Sequence, residues 1–197
     1  MLSRTTTTLL EGLVDPRNES AWRRFYDRYT PMLLSFAKRV GLNDADAQDV
    51  VSDTLVTFLQ QYRAGRYDRA RGRLKSWLGG IARHKIRRCL SKGRPVSLNA
   101  SGSGDGPGLP EPAAVCDLDA AFEHEWQLQR LSEALEVLRG ESDPTTYQAF
   151  DLYALKNWPV DKVASFLELK PNSVYISKSR MLKRLRHILE WLTAEEE

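Results

Sequence analysis

The sequence predicts an all-α chain of two small helical domains joined by a flexible linker, the second domain ending in a helix-turn-helix. Three observations predict it. Apolar residues recur at intervals of three and four, while the alternating Val/Ile/Thr runs that mark strands are nearly absent. A length of 197 residues suits one or two small domains. The stretch RPVSLNASGSGDGPGLPEPAAV is rich in Gly, Ser and Pro and poor in large apolar residues, the composition of a flexible linker.

Residues 1–19 are expected to form a lead-in with a short helix at Thr8–Val14. Ser20 can cap a helix reaching about Val40, with Trp22, Phe25, Tyr26, Tyr29, Leu33, Phe36 and Ala37 on its inner stripe. Pro31 predicts a kink or break, and Gly41 the end. Asn43 caps the next helix, Asp44 to about Tyr62, whose core face is Val51, Leu55, Phe58, Leu59 and Tyr62. Asp46, Asp49 and Asp53 fall together on another face. Acids near a helix start are favoured by the helix dipole, which explains Asp46 but not Asp53. A contiguous acidic face could instead dock a basic protein surface.

A loop, RAGRYDRARG, follows at Arg63–Gly72 and leads into a helix over Arg73–Lys92. That helix has an apolar stripe of Leu74, Trp77, Leu78, Ile81, Ile86 and Leu90, while Arg73, Lys75, Arg83, Lys85, Arg87, Arg88 and Lys92 make the rest cationic, without one Glu or Asp. A face of one sign repels itself, and a phosphate backbone is the commonest partner that offsets this. The plain alternative is a solvated basic face. In the loop, Arg66, Tyr67, Arg69 and Arg71 are the residue types that stack on unpaired bases.

After the linker, placed at 93–117, the second domain spans 118–192. Leu128, Leu131, Leu135 and Leu138 make a stripe on a helix over Leu118–Arg139. Asp143-Pro144 caps and starts a helix reaching about Lys156, with Tyr147, Phe150 and Ala154 inward, and Asn157 can take the left-handed conformation that ends it. Pro159 opens a short helix to about Leu167, a turn follows at Glu168–Lys170, and Pro171 opens a second helix to about Leu192, ahead of the acidic tail 193–197. Val163, Ala164, Leu167, Val174 and Leu182 are apolar where these two helices must face. Asn172, Ser173, Tyr175, Ser177, Lys178 and Arg180, followed by Lys183 and Arg184, put short polar groups first and cations after. That order suits a helix whose start meets base edges and whose flanks meet phosphates; a helical hairpin packed on itself is the alternative.

Both halves resemble the extracytoplasmic-function (ECF) group of bacterial RNA polymerase sigma factors. Asp46-Ala47-Gln48-Asp49-Val50-Val51-Ser52-Asp53 resembles that family's acidic signature, and Trp77-Leu78-Gly79-Gly80-Ile81-Ala82-Arg83 its tryptophan-bearing helix. Tyr147–Leu155, Val163-Ala164 and Ser173–Arg186 are similar to its C-terminal domain. The resemblance implies that Asp46, Asp49 and Asp53 bind core RNA polymerase. It implies that Arg66, Tyr67, Arg69, Arg71, Arg73, Lys75, Trp77, Arg83, His84, Lys85, Arg87 and Arg88 recognise and open a −10 element, and that the eight positions from Asn172 to Arg184 named above read a −35 element. Partners would then be core polymerase and promoter DNA, and the reading admits an anti-sigma factor. Two departures matter below. Gly79-Gly80 replaces a bulkier pair, softening the helix by about 1 kcal/mol per glycine, and Glu168 stands where the turn usually has Gly. A stand-alone helix-turn-helix regulator is the competing reading, distinguished by having no use for the acidic face.

The net charge is only +3, so the positive charge is local; Glu195–Glu197 and the acidic run around Glu123–Glu136 balance the basic helices. No apolar stretch reaches membrane-span length and MLSRTTTTLLEGLV lacks a signal peptide's apolar core, so a cytoplasmic chain without membrane insertion is expected. Cys89 and Cys116 lack metal-ligand spacing and are expected as reduced thiols. His84, His124 and His187 lie at unrelated positions, and neither a Gly-rich phosphate loop nor a carboxylate pair beside a nucleophile is present. No catalytic residue, metal or cofactor is expected.

Overall fold

The computed structural model describes residues 5–68, 73–92 and 117–196, and every regular element among them is helical. The chain divides into two compact units, residues 4–127 and a second containing 128–197.

The first unit holds α1 (Thr5–Val14), α2 (Glu19–Arg39), α3 (Asp44–Arg63), α4 (Leu74–Lys92) and the first ten residues of α5 (Leu118–Gly140). Asn18, not Ser20, caps α2: its side-chain oxygen accepts the Ala21 N–H at 3.1 Å and the Ser20 hydroxyl at 2.9 Å. Helix α2 runs through Pro31 without the expected break. Pro31 is exposed, so the carbonyl it leaves unpaired can be met by water, while Phe25, Tyr29, Met32, Leu33 and Phe36 anchor the opposite side in the core. Tyr26, expected inward, is exposed, and Trp22 is half-buried. At Gly41, φ is +97°, a value that favours glycine, and Leu42 N–H bonds back to Ala37 to close the helix. Asn43 caps α3 as expected. Val51, Leu55 and Phe58 are buried, and the one buried polar side chain of α3, Thr54, donates its hydroxyl to the Val50 carbonyl at 2.7 Å.

In the second unit, the rest of α5 packs with α6 (Pro144–Phe150), a π turn continuing α6 (Asp151–Leu155), α7 (Val160–Phe166) and α8 (Pro171–Glu196). The expected stripe on α5 is corrected: Leu128 and Leu131 are exposed, and Ala134, Val137 and Leu138 make the core, with Leu135 partly buried. Asp143 accepts both the N–H and the hydroxyl of Thr146 at 2.9 Å, which holds its carboxyl below the ordinary value of 3.8. Asn157 takes φ +55° and ends the π turn, as its position predicted. Helices α7 and α8 meet through Val163, Ala164 and Val174, joined by Leu167–Lys170. Glu168 there has φ +55°, the conformation glycine adopts without cost. Leu182, expected at the α7–α8 contact, is exposed; beyond Val174, the helix turns Met181, Leu185, Ile188 and Leu192 inward.

Candidate nucleic-acid interface

The Asn43 cap determines where the acids of α3 point. Its side-chain carbonyl accepts the Asp46 N–H at 2.9 Å and its amide donates to the Asp46 carboxylate at 2.8 Å. One and two turns further on, Asp49 and Asp53 are exposed. All three acids, with Val50, Lys85, Arg88 and Cys89, line one open groove between α3 and α4. Lys85 Nζ lies 2.8 Å from Asp53 Oδ2. Lys85 was expected on a DNA-facing surface; it is turned toward the acidic face instead. Val56, 47% exposed, shares that face at i+7 from Asp49 and i+3 from Asp53. Sequence reasoning missed it, although its place off the Val51/Leu55/Phe58 stripe was a usable signal.

Beyond α3, Gly65 (φ +68°) turns the chain and Tyr67 comes back to stack on Trp77, ring centroids 4.9 Å apart at 21°. Trp77 in turn meets Phe58 at 4.9 Å, and Tyr67 meets Tyr62 at 5.8 Å. Burial first, and then the nearby Tyr67 and Glu11, raise the Tyr62 hydroxyl above its ordinary value of 10.0, so it stays neutral. A ladder of rings thus runs from the core at Phe58 to the half-buried Trp77 and Tyr67. Arg66 and Arg73 are exposed in the chain flanking it. Such an edge offers π faces and cations side by side. Arg69 and Arg71 lie outside the described residues.

Apart from Lys85, the basic residues of α4 with described side chains divide into two sets. His84, Arg87 and Arg88 are exposed. Lys75 and Arg83, eight residues apart on one face, are covered by the start of α5. Lys75 pairs with Glu123, and Arg83 Nε lies 3.1 Å from Asp119 Oδ1. Between them sits Gly79, where an added Cβ would come within 2.7 Å of the Phe122 ring. Gly79 therefore serves helix packing, while a Cβ on the exposed Gly80 would meet nothing within 4 Å.

On α8, the exposed residues Asn172, Tyr175, Ile176, Ser179, Arg180 and Lys183 fall on one stripe at i, i+3, i+4, i+7, i+8 and i+11. Ile176 and Ser179 were missed by sequence reasoning, though the spacing from Asn172 to Arg180 contains them. Four expected positions depart from the stripe. Ser177 is buried, its hydroxyl donating to the Ser173 carbonyl at 2.9 Å, so it points into the protein; Ser173 itself is half-buried. Arg184 donates to the Glu141 carbonyl at 3.2 Å and to the Ser142 hydroxyl at 3.3 Å, which ties it to the α5–α6 turn. Lys178 Nζ sits 4.9 Å over the Tyr153 ring. Among the described residues no helix is long and apolar enough to cross a membrane.

Residues 25–95 match the family model described as Sigma-70 region 2. The matched segment contains α3, α4, the acidic groove and the Tyr67–Trp77 stack. No curated protein matches the chain.

Proposed function

We propose, from the premise that the region 2 domain supports a sigma-70 family member involved in RNA polymerase binding and promoter recognition, that this chain is an ECF-type sigma factor. It binds core polymerase through the acidic face of α3, captures and opens a −10 element at the aromatic and basic edge, and reads a −35 element with α8 as the second helix of a helix-turn-helix. It acts in the cytoplasm and supplies specificity, not catalysis.

The observation that carries the reading is the adjacency, inside the matched domain, of two unlike surfaces. Asp46, Asp49, Asp53 and Val56 form an acidic face with an apolar spot, which suits a basic protein surface. Tyr67, Trp77, Arg66 and Arg73 suit unpaired bases and their phosphates, as strand opening requires. A stand-alone DNA-binding regulator has use for the second surface only. In the other unit, the stripe Asn172/Tyr175/Ile176/Ser179/Arg180/Lys183 supports major-groove reading, because its polar and apolar groups lie at the start of α8 and its cations follow.

The test is charge reversal at Asp49, whose exposed carboxylate is not the Lys85 partner. Asp49→Lys should weaken binding to core polymerase by about tenfold or more, the scale of a like-charge clash at an interface, with the helical circular dichroism unchanged. Undiminished binding would remove the docking role from this face.

A further inference from the structure

Net charge alone made the acids around Glu123–Glu136 seem a counterweight to the basic helices. Their placement is more specific. One face of α5, made of Asp119, Phe122, Glu123 and Trp126, lies along the Lys75/Gly79/Arg83 face of α4. The register runs in opposite directions: Asp119 meets Arg83, Phe122 covers Gly79, and Glu123 meets Lys75. Each cation is engaged twice, since Arg83 also sits 5.4 Å over the Phe122 ring and Lys75 6.0 Å over the Trp126 ring. Further along the same segment, Glu125 is only 5% exposed and pairs with Arg39 of α2. Trp126 stacks on Tyr29 at 5.7 Å and Phe122 meets Phe36 edge-on at 5.3 Å. Residues 118–127 thus bury their aromatic rings in the first unit while setting carboxylates on its cations.

We propose that this segment is an internal competitor for nucleic acid: its carboxylates occupy the places on Lys75 and Arg83 that DNA phosphates take, so the α4 face is covered until the segment lifts. The inference rests on the sigma-factor reading, which makes α4 a DNA-binding helix. Carboxylate and phosphate recognise the same guanidinium and ammonium groups, so the two contacts exclude each other. The aromatic rings make the docking specific; the part-exposed ion pairs make it reversible, because each holds little free energy and is screened by salt. The exposed His84 and Arg87 stay outside both the covered face and the acidic groove and can make first contact with DNA.

The experiment uses the full chain and a labelled single-stranded DNA pool of random sequence. The double variant Asp119→Asn/Glu123→Gln should bind the pool about three- to tenfold more tightly than the parent, the range that one or two part-exposed ion pairs can hold back. Gly79→Ala, which crowds Phe122 without changing any charge, should shift affinity the same way. The control Glu136→Gln/Glu190→Gln changes net charge equally at exposed positions of the second unit and should leave affinity near the parent's. Equal affinity of parent and both test variants, or an equal gain in the control, would overturn the competitor. Transcription with core polymerase on genomic fragments, run in parallel, separates the two ideas. Parent and variants that start transcripts equally, with equal DNA affinity, sink only the competitor. A parent that starts none sinks the sigma reading and the competitor with it.

Discussion

Gly79 and Gly80 are neighbours on one helix and ask for opposite treatment. Replacing a helix-interior glycine by alanine stabilises by about 0.8–1.0 kcal/mol through backbone entropy, and this gain is the same at both sites. At Gly80 nothing opposes it, because a Cβ there meets no atom within 4 Å. At Gly79 the new methyl would lie 2.7 Å from Phe122 Cε1 and 2.9 Å from Phe122 Cζ and an Arg83 terminal nitrogen. The arginine end can swing away. The Phe122 ring, 3% exposed and packed on Phe36 and Trp126, cannot. Overpacking of this kind costs about 1–3 kcal/mol, so Gly79→Ala should fall between neutral and about 2 kcal/mol destabilised once the propensity gain is subtracted. Between the two variants the propensity cancels, leaving a gap of about 1–3 kcal/mol. Calorimetry of the full chain should show Gly80→Ala melting higher than the parent by about 4 °C in the first unit's transition. Gly79→Ala should melt at or below the parent. If Phe122 yields by leaving its seat, amide exchange at residues 118–127 should quicken in Gly79→Ala alone. Equal stabilisation by both alanines would refute the packing of α5 on α4.

Further expectations concern α8 and its supports. Arg180→Ala should weaken binding to a −35 duplex and flatten its salt slope by about one unit. Arg184→Ala should leave the slope intact, because that guanidinium is held by Glu141 and Ser142; equal slope changes would mean α8 presents another face. Ile176 is 42% exposed in the middle of the stripe, and under the proposed −35 reading it would meet a thymine methyl. Exchanging thymine for uracil at one −35 position should then weaken the parent and leave Ile176→Asn indifferent, while a parent insensitive to uracil at every position would dismiss the contact. Asp143 contributes stability through its folded carboxyl lying below the ordinary 3.8. A depressed pKa stabilises above the unfolded value and ceases to as pH falls through the folded one. Urea midpoints of the parent and Asp143→Ala should therefore differ at neutral pH and converge below pH 3.8. A gap that persists there would mean the charged cap is not its source.

Local chemistry was what the sequence displayed best. The caps Asn43 and Asp143, the left-handed Asn157, the acidic face and the span of most helices follow from interactions within a few residues, and those patterns survive in a linear reading. What was hidden depends on neighbours distant in sequence. Helix α5 serves two cores in turn, Phe122 and Trp126 in one and Ala134, Val137 and Leu138 in the other, so a single leucine stripe described neither. Gly79 looked like a softened helix until Phe122, distant in sequence, filled the space beside it. Lys75, Arg83 and Lys85 looked like equivalent outward cations, but acids from α3 and α5 claim them. Ser177 looked like a base reader because a polar residue suggests a surface; an i−4 carbonyl satisfies its hydroxyl and lets it be buried.

The acidic face and the aromatic, basic edge lie together in the region 2 segment, and the proposed function makes both serve one polymerase–promoter complex. The direct measurement is to mix the purified chain with bacterial core RNA polymerase and map the 5′ ends of transcripts from genomic fragments. A stable complex and new start sites are expected, both weakened together in Asp49→Lys. Tight duplex binding with neither complex nor new starts would contradict the proposed function, leaving a regulator that acts alone and an α3 face that is merely solvated.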